Sequence, residues 1–369
     1  MRSVAIIGTR GYPSYYGGFE TAVRKLAPYL ADSKWDVTVY GRRGSTRPDD
    51  PSVDSRVVSK TTFGLETKSL STLSYGLTSV LDAVRQKPDV ALVMNVANGY
   101  WLPLLRARGI PTVVNVDGIE WDRAKWGELA RTVFHVGARL TARFGTRLVY
   151  DAREIGRRWG EEFGTDGDFI PYGGDIPREL PIEPGLEHRS YALMVARFVP
   201  ENTVSQFLDA ARLISKTHRV VIVGSSGYGG DLETSASDLA RSNARVHWLG
   251  HVSDDARLLS LWQHAGAYFH GHSIGGTNPA LVQAMACGAP IVARDTPYNR
   301  EVLGAEGSYV EPFPGEIAEA VLQLLYDSAL QRSSSLNASK RARESYSWAQ
   351  VCDAYERTLE SAIHRKPQW

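Results

Sequence analysis

Cysteine is nearly absent: Cys287 and Cys352 are the only two in 369 residues, and they stand far apart. Two distant thiols build no disulfide framework and lack the paired spacing of a zinc site. A reducing, cytoplasmic setting without a structural metal is the expectation. An excess of charge of one sign is also missing. The net charge is +1, so the basic footprint of a protein that works on nucleic acid is not there. An anionic ligand would have to be gripped by local features and not by a global field. Long apolar runs are lacking too. The opening stretch Val4 to Ile7 is too short for the apolar core of a signal peptide. No window reaches the roughly 18 uninterrupted apolar residues of a spanning helix. A soluble chain is expected, one that at most rests on the inner face of a membrane. Internal repeats and low-complexity tracts are absent as well, and Ser333-Ser334-Ser335 reads as a helix boundary.

What is present is an ordinary globular composition, 43% hydrophobic and 22% charged, which supports a core of normal size. The length suggests two domains. Short β-branched runs alternate with helical periodicity, the pattern of an α/β protein with parallel sheets. In the first half the spacing predicts strands at Ser3–Gly8, Asp36–Tyr40, Asp89–Met94, Thr112–Val116, Arg147–Tyr150 and Asp168–Ile170. Phe19, Val23, Leu26 and Leu30 mark one face of a helix between the first two. From Pro171 to Pro184 proline and glycine interrupt both periodicities, which predicts a linker. A second series follows: Tyr191–Ala196, Arg219–Val223, Val246–Leu249, Ala267–His270 and Pro290–Ala293. A final helix is expected over about 348–363, with Val351, Tyr355, Leu359 and Ile363 on one face. Two doubly wound, Rossmann-like domains are the economical reading, and such sheets bind ligands beyond the carboxyl ends of their strands.

The sharpest local signal is Gly275-Gly276-Thr277-Asn278-Pro279, running on to Gly288. Asn278 suits an N-cap, Pro279 the first helical position and Gly288 the stop. The amides at such a helix start favour an anion, and a diphosphate fits. The same pattern also serves a well-capped buried helix with no ligand. A second glycine signal, Gly8-Thr9-Arg10-Gly11 through Gly17-Gly18-Phe19-Glu20, lies between the first strand and the first helix. It lacks the third glycine of the dinucleotide fingerprint and the Lys-Ser/Thr ending of a P-loop. This weakens a nicotinamide oxidoreductase and leaves an anion site or a tight turn open. Arg197, at the end of Tyr191–Ala196, can grip phosphate bidentately or join a surface ion pair.

These three segments, in this order, resemble family four of the glycosyltransferases across nearly the whole chain. The opening Met1 to Pro13 with Tyr16-Gly17-Gly18-Phe19-Glu20 is similar to a bacterial rhamnosyltransferase-like branch of that family. Asn115-Val116-Asp117-Gly118-Ile119-Glu120-Trp121, Val195 to Asn202 and His270-Gly271-His272 with Gly275 to Pro279 are similar to it too. The resemblance implies a GT-B fold, two such domains facing a central cleft. Residues 1–176 would serve the acceptor side and 177–369 the nucleotide-sugar donor, with the last helix crossing back to the first domain. It implies a dTDP-, UDP- or GDP-linked sugar, a rhamnosyl or glucose-type donor, with no cofactor and no metal. The acceptor would be a glycan, a lipid-linked or small molecule, or a protein.

Carried over, Gly276, Thr277 and Asn278 face the diphosphate with Arg197, Gly17 and Gly18 close over it, and Gly250-His251 lie near the nucleobase. Three positions depart from the family. Its usual lysine after the arginine is Asn202 here, and Arg294 or Arg10 would have to supply the charge. Its two glutamates around the glycine loop fall at Gln283 and at Gly275, or Ser273 in a longer-loop alignment. Gln283 can still hydrogen-bond ribose hydroxyls. Asp117 occupies a position where many members place histidine, and with Glu120 it is a candidate catalytic carboxylate. The family implies a retaining outcome, whereas an aspartate base by itself suggests inversion. An inactive homologue that binds a nucleotide sugar or a partner, and a nucleotide-sugar epimerase, are the competing readings.

Arg131, Arg139, Arg143 and Arg147 recur at multiples of four. On one helix they would form a basic face for an anionic lipid surface or simply a solvated face. His270 and His272 read as packing groups. Tyr12, Tyr15, Tyr16 and Phe19, like Trp121 and Trp126, suit either sugar stacking or packing.

Overall fold

The computed structural model describes residues 2–15, 17–46, 49–50, 53–66, 71–123 and 126–365. Tyr16 lies outside the described residues. The chain divides into two compact units, Met1–Tyr172 with Trp348–Trp369, and Gly173–Ser347.

The first unit is built on a seven-stranded sheet. Its strands are β1 (Arg2–Ile7), β2 (Trp35–Gly41), β3 (Val58–Thr61), β4 (Val90–Met94), β5 (Thr112–Asn115), β6 (Arg147–Tyr150) and β7 (Asp168–Phe169). They lie in the order β3-β2-β1-β4-β5-β6-β7, all parallel. Helices cover both faces of such a sheet, so its central strands read as unbroken apolar runs. Val90, Ala91, Leu92, Val93 and Met94 are all fully buried. The helix Gly18–Asp32 turns Val23, Leu26 and Leu30 into that core and packs Phe19 against it. The final helix, Trp348–His364, adds Val351, Cys352, Tyr355, Leu359 and Ala362 to the same core.

The second unit holds a six-stranded sheet in the order β10-β9-β8-β11-β12-β13. Its strands are β8 (Tyr191–Val195), β9 (Arg219–Val223), β10 (Val246–Trp248), β11 (Ala267–His270), β12 (Ile291–Arg294) and β13 (Ser308–Val310), again all parallel. The segment after Tyr172 is part of this unit: Gly174 donates its N–H to the Tyr346 carbonyl at 2.8 Å and bridges to Ser347. Two strands have no counterpart in the sequence expectation, β3 and β13. Both are short edge strands, and β3 is largely exposed, so neither needs an apolar run.

The four-arginine face does not form. Arg131, Arg139 and Arg143 lie on the helix Glu128–Phe144, but Arg147 belongs to β6 and pairs with Asp168 at 2.8 Å. Among the described residues no helix is long and apolar enough to cross a membrane.

Candidate functional site

Strand order reverses once in each sheet, between β1 and β4 in the first and between β8 and β11 in the second. At such a switch point the two following loops leave in opposite directions and open a crevice at the carboxyl ends. The segments singled out in the sequence are those loops.

In the second unit, β8 ends at Val195 and Arg197 follows as an exposed residue. Its guanidinium has no hydrogen bond or ion pair among the described residues. The loop beneath it is held by hydrogen bonds. Asn202 is 2% exposed and donates its amide to the Arg197 carbonyl at 2.9 Å. Asn202 is therefore a buried brace for the arginine and not a ligand group facing outward. Thr203 is fully buried and donates to the Gly271 carbonyl at 2.6 Å. Ser273 ties back as well: its N–H and its hydroxyl both donate to the Glu201 carbonyl, at 3.0 and 2.9 Å. The post-β8 and post-β11 loops are thus laced together through backbone carbonyls. Arg294, last residue of β12, sends its guanidinium to the Thr203 hydroxyl at 3.0 Å. A second positive charge therefore stands beside the same loops.

Gly275 has φ of +115°, a conformation that favours glycine, and Thr277 is 3% exposed. The Asn278 side chain accepts from the Ala280 N–H at 2.9 Å and opens the helix Pro279–Ala286. Gln283, on that helix, is committed elsewhere. Its amide nitrogen donates to the Asp175 carbonyl at 2.7 Å and its oxygen accepts the Asp175 N–H at 3.0 Å. The expected ribose contact is replaced by a clamp on the backbone.

His270 is fully buried beside Tyr268 and stacks on His272 at 4.5 Å. Burial, with His272 adding to it, holds its imidazole well below the ordinary histidine range. It is a neutral packing group. Gly250 has φ of +63° and its carbonyl accepts the Gly224 N–H at 2.7 Å, while His251 is exposed. Sequence reasoning missed Gly224 and the loop after it. Gly224 has φ of +128°, and an added Cβ would collide with the Ala196 carbonyl oxygen. The run Ser225-Ser226-Gly227-Tyr228-Gly229-Gly230 was the available signal. Its Ser226 N–H is accepted by Glu233 at 2.5 Å.

In the first unit, Gly17 is the N-cap of Gly18–Asp32 with φ of −167°, ordinary extended backbone. The positive-φ turn of this segment lies at Gly8 (φ of +93°) and Gly11 (φ of +117°) and not at Gly17. Glu20 is buried and accepts the Arg10 N–H at 3.0 Å. Beyond β5, Asp117 stands half-buried in the left-handed region at φ of +62°. Its N–H is accepted by Asn115 Oδ1 at 2.9 Å, and its carboxylate receives Asn95 Nδ2 at 3.3 Å. Glu120 is 4% exposed, paired with Arg123 at 2.6 Å and accepting from the Trp126 indole at 2.8 Å. Both its oxygens are occupied. Trp121 joins an aromatic cluster with His135, Trp159 and Phe163. Among the described residues no group of three or more His, Cys, Asp or Glu side chains converges as a metal site.

Two family profiles match in tandem, "Glycosyl transferase 4-like domain" over residues 17–173 and "Glycosyl transferases group 1" over 178–344. Among solved structures, sucrose-phosphate synthase from Thermosynechococcus elongatus superposes with a TM-score of 0.79 at 17% identity, covering 98% of this chain and 99% of that one. Anabaena HepE in complex with UDP-glucose gives 0.76 at 17% identity over 98% of this chain and all of the other. The chain has the GT-B fold and is related to the group 1 glycosyltransferases. The profiles are those of the group and not of a rhamnosyl branch. Similar curated proteins include the phosphatidyl-myo-inositol mannosyltransferase of Mycolicibacterium smegmatis, 30% identical over 220 residues, 55% of each chain. The O-antigen chain mannosyltransferase B of Escherichia coli is 24% identical over 207 residues, 53% of each chain. The matched segments span about half the length of these relatives. In this GT-B chain the glycine loops and arginines of the second unit stand at its switch point.

Proposed function

We propose that the chain is a glycosyltransferase that moves a hexosyl group from a nucleoside-diphosphate donor to a hydroxyl acceptor. The observation that carries this reading is the exposed Arg197 at the β8/β11 switch point, beside a glycine loop that opens a capped helix. Glycosyl transfer develops negative charge on the leaving diphosphate. The start of Pro279–Ala286, Gly276, Thr277 and the Arg197 and Arg294 guanidiniums supply fixed positive potential for it. Arg294 takes the part of the lysine replaced by Asn202. Gly250 and His251 are proposed to border the nucleobase, and Gly17 and Gly18 to contribute a second anion-friendly helix start.

Positive charge develops at the anomeric carbon. Asp117 is the proposed carboxylate that stabilises it or orients the acceptor hydroxyl, since Glu120 is held by Arg123 and Trp126. Retention is the proposed outcome, with a leaving-phosphate oxygen taking the acceptor proton. An inverted product anomer by NMR would overturn it. The mannosyltransferase names among the relatives and the UDP-glucose bound to HepE put mannosyl and glucosyl donors beside the rhamnosyl one. The reading is tested by release of nucleoside diphosphate from UDP-, GDP- and dTDP-linked sugars, with EDTA present.

One observation favours a second reading, a homologue that binds a nucleotide sugar without turnover. Gln283 and Asn202, which stand at positions of family glutamate and lysine, are both spent on the backbone. Binding without nucleoside diphosphate release would decide for it.

A further inference from the structure

Tyr355 sits in the middle of the helix Trp348–His364 and is 3% exposed in the core of the first unit. Its hydroxyl lies 2.6 Å from Nδ2 of Asn115, the last residue of β5. The other atom of the same amide, Oδ1, accepts the N–H of Asp117 at 2.9 Å. A backbone N–H can only donate, so the oxygen has to face Asp117 and the nitrogen has to face Tyr355. Turning the amide over would set donor against donor at Asp117. Burial raises the pKa of the Tyr355 phenol, which keeps it neutral and able to accept from the amide.

Asp117 needs such a support. At φ of +62° its backbone is in a region that non-glycine residues seldom occupy unless neighbours hold them there. Two asparagines at adjacent strand ends do so: Asn115 holds the N–H and Asn95 the carboxylate. Asn95 is itself tied to Asn115, its N–H donating to the Asn115 carbonyl at 2.9 Å. The hold on the Asp117 N–H therefore depends on the placement of one buried amide, and Tyr355 is the group on its far side.

We propose that Tyr355 is a positioning residue for the transfer reaction, acting through the Asn115 amide to fix Asp117. The inference rests on the reading of Asp117 given above. Tyr355→Phe tests it, because the substitution removes one oxygen and leaves the ring in the core. The assay is release of nucleoside diphosphate from whichever of UDP-glucose, GDP-mannose and dTDP-rhamnose the wild-type chain consumes.

Tyr355→Phe is expected to lower kcat roughly tenfold to a hundredfold, the scale of a small misplacement of a reacting group. Donor KM should stay unchanged. In an Asp117→Asn background the second substitution should cause no further loss. Unchanged kcat in Tyr355→Phe, with Asp117→Asn impaired, overturns the positioning role alone. The same fractional loss with and without Asp117 also overturns it. Near-normal turnover in Asp117→Asn removes the reading of Asp117 first, and the positioning role with it. A crystal structure of Tyr355→Phe provides a readout independent of turnover. The role predicts a shifted Asn115 side chain and a displaced Asp117, and unmoved residues contradict it.

Discussion

Gln283 grips Asp175 by both backbone groups, donating to its carbonyl at 2.7 Å and accepting its N–H at 3.0 Å. An amide side chain carries a donor and an acceptor side by side, and an ionised glutamate would set an oxygen against the carbonyl. Gln283→Glu is expected to lower stability by roughly 1–3 kcal/mol, the cost of an unsatisfied buried polar group. Thermal melting reads the loss. The same variant should gain no affinity for a nucleoside diphosphate, because the side chain is turned toward the backbone.

Arg197 and Asn202 should separate cleanly. Arg197→Ala removes an exposed side chain without a partner among the described residues, so the melting temperature should hold. Turnover should fall by about 2.7–4 kcal/mol in barrier, the usual effect of deleting one donor to a developing anion. Asn202→Ala leaves the Arg197 carbonyl unbraced, and stability should fall with activity. Parallel melting and kinetic measurements distinguish the two patterns.

Two glycines make opposite predictions. Gly224→Ala places a methyl group against the Ala196 carbonyl at φ of +128°, and strain and collision should each cost about 1–3 kcal/mol. Gly17→Ala meets nothing closer than a Glu20 oxygen at 3.4 Å, on extended backbone. The loss of a favourable N-cap should cost only about 0.5–1 kcal/mol there. A marked loss of turnover with near-normal melting would mark Gly17 as a ligand-facing glycine.

His270 gives a pH signature. Its folded pKa lies well below the ordinary value because of burial, so near neutral pH both states carry it uncharged and its contribution is complete. Below about pH 6.5 the unfolded chain binds a proton that the folded chain refuses. Stability is then lost as pH falls toward the depressed folded pKa. Melting between about pH 7.5 and 5 should show this decline, with a shallower slope in His270→Gln.

Much of the fold was legible because its buried parallel strands are continuous apolar runs; Arg147–Tyr150, Arg219–Val223 and Ala267–His270 fall where the sequence places them. The edge strands β3 and β13 were not, since an edge exposed to water needs no such run. Asn278 and Pro279 announced their helix through capping chemistry, which is local. Asn202 and Gln283 misled for the opposite reason. Their partners are backbone groups at Arg197 and Asp175, and only the folded chain brings these into reach. Asn115 was visible as part of a motif, but its link to Tyr355 spans 240 positions and leaves no periodic trace.

Thermal shift reads the proposed nucleoside-diphosphate site around Arg197 without needing an acceptor. Wild type and Arg197→Ala would be titrated with UDP, GDP and dTDP in the presence of EDTA. One of the three should raise the melting temperature of the wild type and leave Arg197→Ala unmoved. No shift with any of them, or an equal shift in both proteins, would contradict it.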